Sequence, residues 1–113
     1  MNPTACRKRA SPIYAERTAW VVCYDVDTEN PEGRRRLRKV AKVCEAFGSR
    51  VQKSVFECVL TAAQKERMAA RLAKVIDPAE DSLRIYRLTG RIEDVREVLG
   101  KPDFMPVGGL LIV

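Results

Sequence analysis

The chain has 113 residues, of which 46% are hydrophobic and 32% are charged, and this composition is typical of one compact globular domain. Its 21 lysine and arginine residues exceed its 15 acidic residues, and the net charge of +6 favours an anionic partner, most commonly nucleic acid, although a merely basic protein fits the net charge equally well. The sequence contains no histidine, which excludes Ser-His and Cys-His nucleophile pairs and His-ligated zinc sites within the chain.

Residues 1–18 lack a sustained hydrophobic period, and we predict a disordered or non-native N-terminal extension there. They do not resemble a signal peptide, because the basic start is followed by Ser11 and Pro12 rather than by an apolar segment. No apolar run approaches the roughly 20 residues of a membrane span. We therefore expect a cytoplasmic protein without a membrane partner, and most of its four cysteines are predicted to be reduced core residues.

The folded part is predicted to begin with a buried strand. Residues 20–24, WVVCY, form a continuous apolar run, and Asp25 follows at the C-terminal end. Asn30 is expected to cap a helix over residues 31–47, because it precedes a proline at the first helical position. Gly48 is predicted to end that helix in the left-handed conformation.

The next segment is predicted to contain a hairpin, a second helix and a further strand. Residues 50–53 and 55–60 have the pattern of two short strands separated by a tight bend, and the alternative is a single bent strand. Thr61 and Gln64 have the spacing of a capping box, and an apolar stripe follows them. Residues 83–88 then predict another strand.

This order of elements predicts an α+β fold, a ferredoxin-like βαββαβ sandwich over residues 19–90. Residues 91–113 are predicted to add a short helix and an extra C-terminal strand, which could dock on a sheet edge of this chain or of a partner. Both helices would cover the same face of the sheet, so the other face needs a partner. A second copy of the chain is the simplest one, and we predict a homodimer.

Asp25 is the candidate metal ligand and catalytic residue. It ends a buried strand, and ligands collect at such strand ends in open sheets. Mg²⁺ commonly uses one or two carboxylates with water and substrate phosphate, so two copies of Asp25 across a twofold axis would suffice, with Asp27 and Glu29 as outer ligands. The alternative is that Asp25 and Asp27 only accept hydrogen bonds from turn or helix amides.

A cluster of bases at the start of the first helix is the candidate nucleic-acid surface. Like charges so close together repel one another and oppose the helix dipole, which is unfavourable unless an anion binds there. The alternative is an ordinary solvated helix face. The four arginines of the cluster are Arg34, Arg35, Arg36 and Arg38.

Several short segments occur in an order that resembles one known family, the small CRISPR-associated Cas2 family, over about residues 19–90. They are the strand-end pair Tyr24-Asp25, the segment RRRL at 34–37, the hairpin RVQKSVFEC at 50–58, and the pair DP at 77–78 followed by DSLRIY at 81–86. The chain departs from this family at Lys53 and Arg87, where members often have tyrosine and proline.

The resemblance implies a ferredoxin-like homodimer that acts in CRISPR adaptation, where it bridges two dimers of an integrase and holds a DNA duplex. For some members it also implies a Mg²⁺-dependent endonuclease that cleaves RNA or double-stranded DNA, with the metal bound across the dimer axis by the acid that matches Asp25. The residues that match positions around that site are Tyr24, Arg34, Arg36, Arg50, Ser54 and Phe56.

Three functional hypotheses follow. The first is a nucleic-acid-binding component of CRISPR adaptation that is also a Mg²⁺-dependent endonuclease with Asp25 as the metal ligand. The second is a catalytically inactive scaffold for the integrase, and the third is a toxin-type endoribonuclease of the same fold.

Overall fold

The computed structural model describes residues 16–101 and contains one four-stranded antiparallel sheet in the order β2-β3-β1-β4. The predicted ferredoxin-like βαββαβ order is confirmed, whereas the predicted strand at residues 110–113 and most of the predicted N-terminal extension lie outside the described residues. The elements are β1 Thr18–Asp25, α1 Pro31–Phe47, β2 Ser49–Gln52, β3 Val55–Leu60, α2 Ala62–Val75, β4 Ser82–Arg87 and α3 Ile92–Val95.

The central strand β1 pairs with β3 on one side and with β4 on the other, both antiparallel. Val22 lies opposite Phe56 on β3 and opposite Ile85 on β4. Side chains alternate along a strand. Val22 and the two residues opposite it therefore face the helices, whereas Asp25, Cys23 and Val21 face the other side of the sheet. The sheet therefore has one face covered by α1 and α2 and one face without a long helix.

The core lies between the sheet and the two long helices. Its largest fully buried side chains are Phe56, Met68 and Leu72, one from β3 and two from α2. Each such side chain contributes on the order of 1.5–3 kcal/mol through its removal from water. The core is completed by Val22, Tyr24, Val26, Val40, Val43, Cys44, Cys58 and Leu60.

Both helix starts form as the sequence predicts. The side chain of Asn30 accepts a hydrogen bond from the Gly33 amide at 2.8 Å, which caps α1. The Thr61 amide donates to the Gln64 side chain at 2.8 Å, and the Gln64 amide donates to the Thr61 hydroxyl at 3.2 Å. This reciprocal pair is the predicted capping box of α2.

The prediction for Gly48 was wrong. Its φ of −164° and ψ of −164° are extended, so the glycine does not end α1 in the left-handed conformation. A methyl group at this position would lie 2.5 Å from the sulfur of Cys58 and 2.5 Å from the carbonyl oxygen of Glu57. Glycine is therefore needed here because β3 passes close to the end of the helix, not because of a positive φ.

The segment after β4 is less regular than predicted. The predicted short helix forms as α3, which has only four residues and ends at Val95. The apolar side chains that follow it, Val98 and Leu99, are 43% and 87% exposed. Arg96 joins this segment to the sheet through an ion pair of 2.6 Å with Glu57 on β3. No helix among residues 16–101 is long and apolar enough to cross a membrane.

Candidate metal and nucleic-acid site at the end of the central strand

Asp25 is the last residue of β1, and its side chain is exposed on the sheet face that lacks the long helices. It lies opposite Ser82, the first residue of β4, in a depression of about 180 Å³ whose rim also includes Arg84. None of the described residues forms a hydrogen bond or an ion pair with its carboxylate. The group is therefore free to bind a ligand from solvent or from another chain.

One copy of the described chain does not complete a metal site. Within residues 16–101 there is no group of three or more acidic or cysteine side chains arranged to hold a metal ion. On this face of the sheet, the depression offers two side chains with oxygen atoms that could bind a metal, the carboxylate of Asp25 and the hydroxyl of Ser82. One carboxylate and one hydroxyl are a sparse ligand set for Mg²⁺. A site for such an ion would need donors beyond those that the described residues of one chain supply here.

Asp27 is part of a turn. Its carboxylate accepts a hydrogen bond from the Glu29 amide at 3.1 Å, and its own amide donates to Asp81 at 3.2 Å. The Asp27 carboxyl also forms a hydrogen bond with the Glu80 side chain, which raises the pKa of Glu80. For Asp27 the alternative interpretation, a carboxylate that binds turn amides, is confirmed.

Arg36 differs from the other arginines of the cluster. Its Nε lies 2.7 Å from Asp81 Oδ2 and its second guanidinium nitrogen lies 3.1 Å from Asp81 Oδ1, which makes a bidentate pair. The Asp81 side chain is 0% exposed and that of Arg36 only 19%. These hydrogen bonds raise the pKa of Arg36 and lower the pKa of Asp81. Arg36, predicted to contact nucleic acid, is therefore paired with a buried acid instead of standing exposed on the surface like the other three.

The other three arginines of the cluster are exposed. Arg34 donates to the Thr28 carbonyl at 3.1 Å, and Arg35 lies 4.0 Å from Glu32 in a solvent-exposed pair that adds little stability. Arg38 makes no ion pair with any described residue. The same helix presents the exposed Lys39 and Lys42, so the outer surface of α1 carries more bases than acids.

The basic surface continues onto α2. A groove of about 520 Å³ between the two helices is lined by bases from both of them, over the side chains of Val43 and Val75. The guanidinium of Arg71 also lies 5.5 Å from the centre of the Phe47 ring. The four bases along this groove are Lys39, Lys42, Arg71 and Lys74.

The aromatic residues predicted near the site belong to the core. Phe56 is 0% exposed and Tyr24 is 6% exposed, and their ring centres lie 6.2 Å apart. Burial raises the pKa of Tyr24, and the nearby Arg50 opposes this effect. Phe56, predicted to lie among the nucleic-acid-binding residues, is placed by the fold in the core, where no part of its side chain reaches the surface.

Arg50 and Ser54 connect the hairpin to the end of β1. The Arg50 guanidinium lies 5.2 Å from the Phe56 ring centre and 3.7 Å from Glu45. The Tyr24 amide donates to the Ser54 carbonyl at 3.1 Å, and the Tyr24 hydroxyl lies 3.5 Å from the Lys53 carbonyl. These contacts hold the residue immediately before Asp25 against the hairpin.

Asp81 is the site residue that the sequence did not reveal. It was recognised only as part of a matching segment, and nothing in its local pattern identifies a partner 45 residues away. The sequence signal that could have pointed to Asp81 is its position, just before a predicted strand and three residues after the proline that follows the second long helix. That position alone does not distinguish a buried anchor from a surface charge.

Comparison with known proteins agrees with this fold and sequence pattern. The family described as CRISPR associated protein Cas2 matches residues 18–94. A CRISPR-associated endoribonuclease Cas2 1 of Moorella thermoacetica is 59% identical over 68 residues, which is 60% of this chain and 71% of the relative. A CRISPR-associated endonuclease Cas2 of Halalkalibacterium halodurans is 45% identical over 84 residues, 74% of this chain and 88% of the relative.

Among solved structures, the crystal structure of Streptococcus pyogenes Cas2 at pH 6.5 is similar with a TM-score of 0.66 and 48% sequence identity, covering 73% of this chain and 99% of that one. The matched region begins at the first residue of β1 and ends within α3, so it includes every element of the sheet and both long helices. The chain therefore belongs to the CRISPR-associated Cas2 family.

Proposed function

We propose that this protein acts in CRISPR adaptation as a homodimer that binds nucleic acid and cleaves phosphodiester bonds with the help of Mg²⁺. The observation that carries this proposal is the exposed, unengaged carboxylate of Asp25 at the end of the central strand. The names of its relatives, endoribonuclease and endonuclease, support a nuclease activity. They leave both RNA and double-stranded DNA as substrates to be tested.

The position of Asp25 supports a shared site. Its side chain lies on the same face of the sheet as Val59 and Tyr86, which are 55% and 48% exposed. Covering this face with a second copy would bury those apolar side chains and would bring a second Asp25 to the same side of the sheet. Two carboxylates, one from each chain, would then be available to one ion.

In this proposal the two Asp25 carboxylates hold Mg²⁺, which when bound supplies an activated water and polarises the scissile phosphate. The chain's own residues bind and orient the substrate. Arg34, Arg35 and Arg38 lie on the exposed side of α1 and contact backbone phosphates, and Arg84 at the rim of the depression restrains the phosphate nearest Asp25. Tyr24 and its contacts with the hairpin keep the end of β1 in place.

The decisive experiment replaces Asp25 by asparagine. We expect Asp25→Asn to lower Mg²⁺-dependent cleavage of labelled RNA or duplex DNA by at least about 100-fold, because even residues that only support metal ligands change activity by about 10–100-fold. Binding of the same substrate without metal should be retained. Glu66→Gln, an exposed acid on α2 whose side chain is 73% exposed, is the matched control. Undiminished cleavage by Asp25→Asn would exclude Asp25 as the metal ligand.

The basic surface is tested separately from catalysis. Neutralising Arg34, Arg35 and Arg38 together should reduce the log-log salt slope of duplex binding by up to about 2.7, since each lost phosphate contact reduces it by about 0.9. An unchanged slope would show that these arginines are only a solvated face.

The inactive scaffold is the second candidate, and it is favoured by the sparse donor set around Asp25 in one chain. It predicts binding without cleavage by the wild-type protein, together with a stable complex with an adaptation integrase. Analytical ultracentrifugation of the free protein and co-purification with that integrase would test the proposed homodimer and the proposed partner.

A further inference from the structure

We propose that Asp81 is a positioning residue for Asp25 and that Arg36 acts on the site through Asp81 rather than by binding phosphate. This inference rests on the proposed function of Asp25. It concerns the hydrogen bonds that connect the two loops next to the candidate site.

The Asp81 carboxylate is an acceptor for three separate parts of the chain. It accepts hydrogen bonds from the Asp27 amide at 3.2 Å and from the Asp77 amide at 2.9 Å. It also accepts two from Arg36, at 2.7 Å and 3.1 Å. One buried side chain therefore joins the loop after β1, the loop after α2 and the first turns of α1.

The joined segments are those that determine where Asp25 lies. Asp27 follows it by two residues, and Ser82, which pairs with Asp25 across the sheet, directly follows Asp81. Fixing the Asp27 amide and the start of β4 to one carboxylate restricts the backbone on both sides of the depression. The end of β1 cannot shift relative to β4 without breaking at least one of these hydrogen bonds.

Arg36 is poorly placed to bind a phosphate. Two of its guanidinium nitrogens already donate to Asp81, and its side chain is 19% exposed. A phosphate that took both of these donors would leave a buried carboxylate without its cation, which is unfavourable. Other acids also face this guanidinium, namely Asp27 and Asp77 from the two loops. The Arg36 charge is thus already balanced within the protein.

The test compares Arg36→Gln and Asp81→Asn with Arg38→Gln, which removes an exposed charge from the same helix. Far-UV circular dichroism and urea unfolding first establish that each variant is folded. Arg36→Lys keeps the positive charge but loses the bidentate geometry. Should Arg36→Gln or Asp81→Asn fail to fold, Arg36→Lys replaces the failed variant in the hydrogen-exchange measurement.

Two measurements do not depend on cleavage. Amide hydrogen exchange at Asp27 and Asp77 should accelerate by about tenfold or more in Arg36→Gln and in Asp81→Asn, whereas it should be unchanged in Arg38→Gln. The salt slope of duplex binding should be unchanged in Arg36→Gln and reduced by about 0.9 in Arg38→Gln. In the cleaving protein, Arg36→Gln and Asp81→Asn should raise the Mg²⁺ concentration needed for half-maximal activity, and their effects should not add in the double variant.

The opposite pattern would overturn the inference: a salt slope that falls by about 0.9 in Arg36→Gln, with exchange at Asp27 unchanged, would make Arg36 a phosphate contact. A wild-type protein that never cleaves would refute the proposed nuclease instead, while the exchange and salt data would still decide whether Asp81 holds the segments around Asp25.

Discussion

Gly33 is the position where a single methyl group tests the packing beneath the candidate site most directly. It is buried in the first turn of α1, and a Cβ added there would overlap the carbonyl oxygen of Asp27 and lie 2.9 Å from its carbonyl carbon. Both are backbone atoms, which cannot rotate away as the tip of a flexible side chain could. Gly33→Ala must therefore move either the helix start or the loop that follows Asp25.

The expected change in stability can be estimated from two opposed effects. Overpacking of this kind destabilises by about 1–3 kcal/mol. Alanine is more favourable than glycine inside a helix by up to about 1 kcal/mol. We expect a net loss of about 1–2 kcal/mol, which for a domain of this size corresponds to a fall in Tm of about 5–15 °C.

Differential scanning calorimetry measures that change, with Lys39→Ala as the control because Lys39 is exposed on the same helix. Since the displaced carbonyl is only two residues from Asp25, Gly33→Ala should also reduce Mg²⁺-dependent cleavage more than it reduces duplex binding. A Tm equal to or above that of the wild type would refute the reasoning, because it would show that the loop accommodates the methyl group without strain.

Three further predictions follow from buried groups. Phe56→Leu should destabilise the fold by about 1–2 kcal/mol in urea unfolding because it leaves a cavity in the core, and a loss of duplex affinity without loss of stability would contradict its core role. Arg36 holds the pKa of Asp81 below its usual range, so the pair contributes stability above about pH 4, and this stability is lost as the pH falls through the lowered pKa. Between about pH 5 and pH 3, Asp81→Asn should therefore lose less stability than the wild type does. Burial raises the pKa of Cys44 to about 12 and that of Cys58 to about 11, so at pH 8 both thiols should react with a disulfide reagent far more slowly in the native protein than in urea, and rapid native labelling of either would contradict this.

The parts of the fold that the sequence predicted correctly are those controlled by neighbouring residues. The apolar run before Asp25, the cap at Asn30 and the capping box at Thr61 each depend on a few consecutive positions, and each forms as expected. The ferredoxin-like order then follows from the sequence of elements, because few topologies join them with short connections.

The errors occurred where a residue's role depends on a distant segment. Gly48 was interpreted as a helix stop, but its requirement comes from β3, which passes within contact distance of it. Arg36 has the same sequence environment as Arg35, and only the fold places it beside an acid 45 residues later. Local patterns predict conformation well, but they do not reveal which charges are neutralised by tertiary contacts.

This difference among the arginines bears on how a carboxylate can lie beside a basic surface without being neutralised by it. Asp81 binds Arg36, and Asp27 is engaged by its own turn. Asp25 forms no such bond with any residue that the structure describes, while Arg34, Arg35 and Arg38 face solvent on α1. The fold thus separates the Asp25 carboxylate, suited to a cation, from the exposed cations of α1, suited to phosphates. If Asp81 were lost, the Asp27 amide and the start of β4 would no longer be joined through one carboxylate, and we would expect weaker metal binding at Asp25 even where the substrate is still held.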